Sequence, residues 1–173
     1  MRLFVAINFN EETKKGLVTL RDGLRVQSER GRFSALENLH LTLAFLGECS
    51  VSQTNEVKAV MDELEFKPFT ISIDRIGRFK RAGGDIWWAG VREDKKLLKL
   101  QRELTDGLCA IGFVLDKRKY NPHITLGREI VTDASPRPIK PFGETVSCIE
   151  LMKSEHISGK LTYTDIYSKG ALS

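Results

Sequence analysis

The amino-acid sequence predicts a mixed α+β fold and argues against a doubly wound parallel sheet. The predicted elements run strand, helix, strand, helix, two strands, helix and three strands, so helices do not separate every pair of strands. Strands that follow one another directly are typical of hairpins. The chain also lacks a glycine-rich phosphate loop, because Gly83-Gly84 is an isolated pair that matches neither nucleotide-binding fingerprint.

The first half of the chain is predicted to alternate strands with helices. Runs rich in branched and aromatic residues indicate strands at Arg2 to Phe9 and Leu39 to Leu46. Ser52 or Thr54 is expected to cap the second of two helices. These helices are indicated by apolar residues that recur every three or four positions, namely Leu17, Leu20 and Leu24 in the first, and Val57, Val60, Met61 and Leu64 in the second.

The second half is predicted to contain five strands and the longest helix. Alternating residues form one strand from Phe69 to Ile73, and Ile86 to Val91 form the next. The helix runs from Lys95 to Ile111 and ends at Gly112, since glycine favours the conformation that terminates helices. The remaining elements are the strand His123 to Ile130, a loop containing Pro136, Pro138 and Pro141, and an antiparallel pair at Thr145 to Met152 and Leu161 to Ser168.

The composition is that of a globular protein without a membrane segment. Of the 173 residues, 41% are hydrophobic and 29% are charged, which is ordinary for folded domains. No stretch approaches the roughly 18 continuous apolar residues of a membrane span, and the apolar run Leu3 to Ile7 is too short for a signal-peptide core. The sequence therefore predicts a cytoplasmic protein with one domain, or two small lobes that share a core, over residues 1–173.

Cysteines and charge narrow the functional classes further. Cys49, Cys109 and Cys148 are an odd number at wide spacing, which predicts neither a disulfide framework nor a structural zinc site, and each is expected to be a small buried hydrophobic residue. The formal net charge of +4 permits an anionic partner. It is concentrated in two basic clusters, Arg78 to Arg81 and Lys117 to Lys119.

A repeated tetrapeptide is the main functional signal. The chain has three histidines, and two of them begin the stretches His40-Leu41-Thr42-Leu43 and His123-Ile124-Thr125-Leu126. Because side chains alternate along a strand, histidine and threonine share one face of each stretch, and the apolar residues share the other. We expect the two polar faces to line one cleft. The third histidine, His156, has no such context and is expected on a turn or at the surface.

The paired motifs suit cleavage of a phosphodiester without a metal ion. Such cleavage needs a base for the attacking oxygen and an acid for the departing one, and imidazole can serve as either near neutral pH. Hydroxyl groups of Thr42 and Thr125 can donate to the phosphate oxygens. Neither motif contains a carboxylate, so a metal cluster is poorly supported. A single His-x-Thr in a strand is usually structural, whereas two copies in matching phase favour a site.

With these motifs the chain resembles the two-histidine (2H) phosphoesterases, specifically the LigT-like RNA 2′,3′-cyclic phosphodiesterases that were first described as 2′-5′ RNA ligases. The likeness covers nearly the whole chain. The segments that carry it are Arg2 to Ile7, Glu37 to Glu48, Trp87 to Val91 and Tyr120 to Arg128.

The resemblance implies a bilobal fold with two antiparallel sheets, flanked by helices, around a central cleft with pseudo-two-fold His-x-Thr strands. It implies opening of a 2′,3′-cyclic phosphate on RNA, without metal or other cofactor, to leave a 2′-phosphate. His40 would be the proton donor, His123 the proton acceptor, and Thr42 and Thr125 the groups that hold the phosphate. The implied partner is an RNA end, such as that of a tRNA fragment, with no membrane and no obligate protein partner, so that the protein acts as a monomer.

Several binding residues are less well determined by the sequence. Arg128 matches a basic position of the family, but strict alternation puts it on the face away from His123, so that either a bulge re-aims it or it acts from the strand end. Lys80 and Arg81 are candidates to grip the RNA backbone. Phe4, Phe45 and Trp88 are candidates to stack a base, although Phe45 shares the phase of the apolar residues and is expected in the core.

Three alternatives to this hydrolase stay open. The same acid and base create a 2′-5′ linkage if an RNA 5′-hydroxyl attacks in place of water, and water at roughly 55 M favours hydrolysis unless the second RNA end is held at high effective molarity. A 2H esterase could instead act on a small cyclic nucleotide or on 2′-5′ oligonucleotides. A non-catalytic module that binds RNA ends fits the positive charge but leaves the paired histidines without a purpose.

Overall fold

Two antiparallel sheets and three helices make up the computed structural model, which describes residues 1–173. The four-stranded sheet has the order β3-β1-β8-β9, and the five-stranded sheet has the order β2-β6-β5-β4-β7. The strands are β1 (Arg2–Ile7), β2 (Ser28–Phe33), β3 (Leu41–Glu48), β4 (Phe69–Phe79), β5 (Asp85–Val91), β6 (His123–Thr132), β7 (Arg137–Val146), β8 (Cys148–Ile157) and β9 (Lys160–Gly170). The helices are α1 (Glu11–Val26), α2 (Val51–Glu63) and α3 (Lys95–Ala110), and a turn of 3₁₀ helix spans Leu36–Asn38. The predicted α+β class is confirmed.

Local sequence signals explain where the helices begin. Asn10 caps α1 by accepting a hydrogen bond from the amide of Thr13. The predicted cap of α2 was wrong, because the cap is Ser50, two residues before Ser52 and four before Thr54. Ser50 accepts from the amide of Gln53 while the Gln53 side chain accepts from the amide of Ser50, and this reciprocal capping box satisfies two amides at once.

Both edges of the five-stranded sheet depart from the sequence prediction. β2 was missed because its sequence, SERGRF, is charged and carries no apolar alternation, as is common for strands that must not pair further. The predicted proline loop is instead β7, which contains Pro138 and Pro141. Proline is tolerated there because an edge strand has amide positions that need no partner, and the pairing of β7 with β4 is irregular around Pro141.

The last predicted strand pair is confirmed with shifted boundaries. Ser147 divides the predicted strand Thr145 to Met152, so that its first residues end β7 and the rest begin β8. β8 then pairs with β9 along its whole length. His156 lies in β8 and is exposed, so the predicted surface position is confirmed, but it is not in a turn.

The hydrophobic core joins the two sheets. Its main cluster of 33 buried residues includes Leu3, Val5 and Ile7 of β1, Ile71 and Ile73 of β4, and residues from all three helices. None of the helices has the length and apolar character that a membrane crossing requires. The shared core fixes the position of β3, at one edge of the four-stranded sheet, relative to β6 in the other sheet, and these are the strands that carry the two motifs.

The prediction of three buried cysteines is only partly confirmed. Cys49 is buried, Cys148 is half-buried and Cys109 is exposed, and all three are free thiols. Cys109 lies in the last turn of α3, where the buried stripe of the helix consists of leucines and the neighbouring positions face solvent.

Candidate active site

His40 is oriented by main chain on one side and by its own motif on the other. Its Nδ1 lies 2.8 Å from the carbonyl oxygen of Asn38, in the 3₁₀ turn that leads into β3. Because a carbonyl oxygen can only accept, Nδ1 carries the proton. The unprotonated Nε2 of the neutral imidazole then accepts from the hydroxyl of Thr42, at 2.8 Å.

His123 is held in the same way in the other sheet. Its Nδ1 lies 2.6 Å from the carbonyl oxygen of Asn121, which, like Asn38, is two residues before its histidine. The two imidazoles therefore have the same tautomer, and in each the Nε2 atom is the one left for proton transfer. A main-chain carbonyl thus does for both histidines what a carboxylate does in many acid–base sites.

A β-bulge directly follows the threonine in β3. Ala6 of β1 pairs with Thr42, whereas the preceding residue, Val5, pairs with Ala44. Leu43 is the extra residue, and it leaves the strand with its side-chain alternation reversed.

The second motif has a bulge at the equivalent position. Trp88 of β5 pairs with Thr125, whereas its neighbour Trp87 pairs with Gly127. Leu126 is therefore the extra residue, one position after the motif threonine, as Leu43 is in β3.

These bulges decide where two predicted residues lie. Arg128, three positions after Thr125, lies on the same side as His123 and lines the same cleft. Of the two explanations that the sequence allowed, the bulge is therefore the correct one. Phe45, three positions after Thr42, is likewise turned away from the core by the bulge at Leu43. The prediction that Phe45 packs in the core was wrong, because its side chain is 51% exposed.

The structure brings the five central residues predicted from the motifs into one cleft. His40, Thr42, His123, Thr125 and Arg128 all line it, around a cavity volume of about 390 Å³. That size is within the range of sites for small ligands.

The two basic candidates in the turn between β4 and β5 differ in position. Arg81 lines the end of the cleft beyond His123, and its guanidinium lies 5.7 Å from the ring centroid of Phe79. Lys80 is exposed on the turn, outside the lining of the cleft. At the same end lie Arg118 and Lys119, which pair with Asp116 and Glu93, respectively.

Aromatic rings surround both imidazoles. Around His40 the ring centroids of Phe4 and Tyr163 lie at 4.8 and 5.2 Å. Around His123 those of Phe79 and Trp88 lie at 5.1 and 6.1 Å. Phe4 is buried, so its ring packs on the imidazole and has no free face for a base. These rings exclude water from one side of each imidazole.

The environment lowers the pKa of both histidines. For His40, burial is the main cause, the bond to the Asn38 carbonyl opposes it, and the nearby charge of His123 adds to the lowering. For His123, burial again comes first, the Asn121 carbonyl opposes it, and Arg128 lowers the pKa further. Near pH 7 both imidazoles are therefore mainly neutral, and an anion bound between them would favour protonation of one.

Two hydroxyl groups tie the motifs together crosswise. Tyr120, on the segment that leads to His123, donates to the carbonyl oxygen of Thr42 at 2.8 Å. Ser34, on the segment that leads to His40, donates through Oγ to the carbonyl oxygen of Thr125 at 2.9 Å. Each bond satisfies a carbonyl at the edge of a bulge, where the sheet ladder is interrupted.

Sequence reasoning missed several of these residues. Tyr120 lies beside the second motif, but nothing in its sequence context predicts a bond to the first. Tyr163 reaches the cleft from β9, and only the fold brings it there. Asn38 and Asn121 act through main-chain carbonyls, which no residue type encodes.

Nowhere in the chain do three or more histidine, cysteine, aspartate or glutamate side chains cluster so that they could hold a metal ion.

Known proteins resemble the chain in sequence. Residues 7–88 match the family model described as LigT like Phosphoesterase. The chain is 35% identical over 131 residues to an RNA 2′,3′-cyclic phosphodiesterase of Thermotoga maritima, and this alignment covers 74% of the chain and 70% of that protein. It is 30% identical over 167 residues to the protein of the same name from Escherichia coli K12, with 95% of the chain and 93% of that protein covered.

Solved structures resemble it in fold. The crystal structure of Escherichia coli LigT complexed with 3′-AMP matches with a TM-score of 0.87 at 27% sequence identity, over 99% of this chain and 98% of that chain. The apo form of the same protein gives a TM-score of 0.84 at 26% identity, with the same coverage. Both matches extend over the two sheets and the cleft between them.

Proposed function

The chain belongs to the LigT-like phosphoesterase family, and from that premise we propose that it hydrolyses the 2′,3′-cyclic phosphate at an RNA end to a 2′-phosphate. Relatives over most of its length carry the name RNA 2′,3′-cyclic phosphodiesterase. The observation that carries the proposal is the matched pair of imidazoles, each held through Nδ1 by a main-chain carbonyl, in one cleft with Thr42, Thr125 and Arg128.

The proposed reaction is a proton exchange across the bound phosphate. Nε2 of His123 takes a proton from water, and the water oxygen forms a bond to phosphorus. The bond between phosphorus and the 3′ oxygen breaks, and the proton on Nε2 of His40 passes to that oxygen. The products are a 2′-phosphate and a free 3′-hydroxyl, and the acid and base are left in exchanged protonation states. The labels of acid and base rest on the family resemblance.

The threonine hydroxyls and Arg128 are proposed to stabilise the charge on the phosphate. The hydroxyl of Thr42 donates to Nε2 of neutral His40. When His40 is protonated, its Nε2 becomes a donor, and the Thr42 hydrogen is released to bond a phosphate oxygen. Thr125 makes no hydrogen bond to His123 of this kind and can donate directly. Arg128 adds a permanent positive charge at the same site.

We also propose a domain organisation, an oligomeric state and a cellular location for the protein. The whole chain, residues 1–173, acts as a single bilobal domain, which is supported by the core that both sheets share. It works as a monomer in the cytoplasm on RNA ends such as those of tRNA fragments. The basic residues at the His123 end of the cleft, Arg81 among them, favour a polynucleotide over a small cyclic nucleotide. Lys80, on the exposed turn, is proposed to contact the RNA backbone beyond the cleft.

The test is turnover of an RNA oligonucleotide with a 2′,3′-cyclic phosphate end in the presence of EDTA. We expect a 2′-phosphate product, identified by its resistance to an enzyme that removes only 3′-phosphates. Loss of activity with chelator, or a 3′-phosphate product, would contradict the mechanism. Adding an RNA with a 5′-hydroxyl measures ligation in the same reaction, and tight binding without turnover would favour the binding module.

A further inference from the structure

Tyr163 is a side chain of the cleft that belongs to neither motif. It lies on β9, an edge strand of the four-stranded sheet, and together with its cross-strand partner Ser154 it lines the cavity between the histidines. Its ring stands nearly perpendicular to two others, with the centroid of Phe4 at 5.0 Å and that of the His40 imidazole at 5.2 Å. Packing against these two rings holds the tyrosine in the half of the cleft that contains His40.

The beginning of β9 is fastened to the turn that orients His40. Asn38, whose main-chain carbonyl holds Nδ1 of His40, also donates through Nδ2 to the carbonyl oxygen of Leu161 at 3.2 Å. The ammonium group of Lys160 lies 2.7 Å from the carboxylate of Glu37. Two contacts therefore fix the strand relative to the histidine, immediately before the tyrosine in the chain.

The hydroxyl group of Tyr163 is the one tyrosine hydroxyl that the fold itself does not use. Those of Tyr120 and Tyr167 donate to the Thr42 carbonyl and to Asp62, respectively. The Tyr163 hydroxyl makes no hydrogen bond within the protein, and it is not among the buried polar atoms that lack a partner. It is therefore accessible to a molecule in the cleft.

The charges around this hydroxyl show which part of the cleft it faces. Burial raises the pKa of Tyr163, and the positive charges of Arg128 and Arg2 oppose that rise. The charge of Arg128 also acts on His123, so the tyrosine hydroxyl and the arginine face the same part of the cleft from opposite sheets. Because the phenol keeps its proton near pH 7, it can donate a hydrogen bond there.

We propose that Tyr163 is a further catalytic residue, whose hydroxyl donates a hydrogen bond to a non-bridging oxygen of the cyclic phosphate. This role rests on the proposed function, since it needs the phosphate between the two histidines. The tyrosine transfers no proton: it holds the phosphate from the side of His40, opposite Arg128. A donor fixed in this position stabilises the negative charge that develops on the phosphate oxygens as water attacks.

The first test is Tyr163→Phe on RNA with a 2′,3′-cyclic phosphate end. This variant keeps the ring that packs against His40 and loses only the hydroxyl. We expect kcat to fall by about 10²- to 10³-fold while KM changes less than about threefold, because the bond strengthens as charge develops. Tyr167→Phe removes the same group from the same strand, away from the cleft, and should keep the wild-type kcat. A wild-type kcat in Tyr163→Phe would show that the tyrosine only packs, and would overturn the proposal.

The second test separates contact with the phosphate from an indirect effect. Two isomers of the cyclic phosphorothioate each carry sulfur, a weaker acceptor than oxygen, in place of one non-bridging oxygen. Only the isomer with sulfur towards Tyr163 loses the proposed bond, so the ratio of kcat/KM for the two isomers should change by about tenfold in Tyr163→Phe. It should keep its wild-type value in Tyr167→Phe.

The remaining outcomes separate this proposal from the proposed function. A lower kcat in Tyr163→Phe with an unchanged ratio of the two isomers would mean that the hydroxyl acts through the protein, and would overturn the contact while the hydrolase stands. If the wild-type protein does not open the cyclic phosphate, the proposed function itself fails, and the role of Tyr163 fails with it.

Discussion

The hydroxyl of Tyr120 donates to the main-chain carbonyl oxygen of Thr42 at 2.8 Å, so the segment that orients one cleft histidine is fastened to the strand that carries the other. Asn121, the next residue, holds Nδ1 of His123. The Thr42 hydroxyl meets Nε2 of His40. This partly buried bond therefore links the two halves of the site. The Ser34 bond to the Thr125 carbonyl is its counterpart in the opposite direction.

The substitution Tyr120→Phe removes the hydroxyl that makes this hydrogen bond and keeps the aromatic ring. The unpaired Thr42 carbonyl should lower the free energy of unfolding by about 1–3 kcal/mol. Misplacement of the histidines should lower kcat by about 10- to 10²-fold. Steady-state kinetics give kcat and KM separately, and thermal unfolding measures the change in stability.

The matched control for this variant is Tyr167→Phe. Tyr167 lies on β9, and its hydroxyl donates to Asp62, away from the cleft. This variant should keep the wild-type kcat whatever it does to stability. Equal kcat values for Tyr120→Phe and the wild-type protein would show that the bond does not position the site.

The pH dependence follows from the lowered pKa of both histidines. The productive form has one imidazole neutral and one protonated, so kcat/KM should be bell-shaped. Burial keeps both pKa values of the free protein below the ordinary 6.5, aided at His40 by the charge of His123 and at His123 by the charge of Arg128. The maximum of kcat/KM should therefore lie below pH 6.5. Bound phosphate raises the pKa of the acid, so the falling limb of kcat should lie at higher pH than that of kcat/KM. An optimum of kcat/KM above pH 7.5 would contradict this assignment.

Arg128→Gln tests the electrostatics at His123. The charge of Arg128 lowers the pKa of His123, so its removal should raise that pKa and move the acidic limb of kcat/KM to higher pH. Loss of a donor to the phosphate should also lower kcat by about 10²- to 10³-fold. Arg102→Gln removes the same charge from the exposed face of α3 and should leave the profile unchanged. If the acidic limb does not move in Arg128→Gln, the charge of Arg128 does not control the pKa of the base, and the assignment is contradicted.

Regular elements were predictable where their pattern is strong. α3 ends within one residue of its prediction, because a continuous apolar stripe precedes a glycine with positive φ, Gly112. The strands that failed are the two edges of the five-stranded sheet. β2 has too many charges to show alternation, and β7 contains prolines that a central strand could not accept.

The site was predictable in its residues but not in its geometry. His40 and His123 were found from repetition, and strand phase placed Thr42 and Thr125 beside them. Alternation fails immediately after each motif, because Leu43 and Leu126 are bulged. A bulge depends on pairing with a strand that is distant in the sequence, so no local pattern predicts it. Phe45 and Arg128 were therefore assigned to the wrong face by phase alone.

The bulges are also supported from outside the strands. Gln101 of α3 donates through Nε2 to the carbonyl oxygen of Leu43 at 3.2 Å, and the amide of Ser34 donates to the carbonyl oxygen of Leu126 at 2.9 Å. Both acceptors belong to the extra residues. These contacts join elements that lie far apart in the chain, so no local sequence pattern predicts the shape of the cleft.

The most direct test of the paired histidines is a comparison of three variants on RNA with a 2′,3′-cyclic phosphate end, with EDTA present. His40→Ala and His123→Ala should each lower kcat by about 10²- to 10⁴-fold while folding and RNA binding persist. Because the two residues act as one acid–base unit, the double variant should be little slower than the slower single variant. Wild-type rates in both single variants would contradict the account.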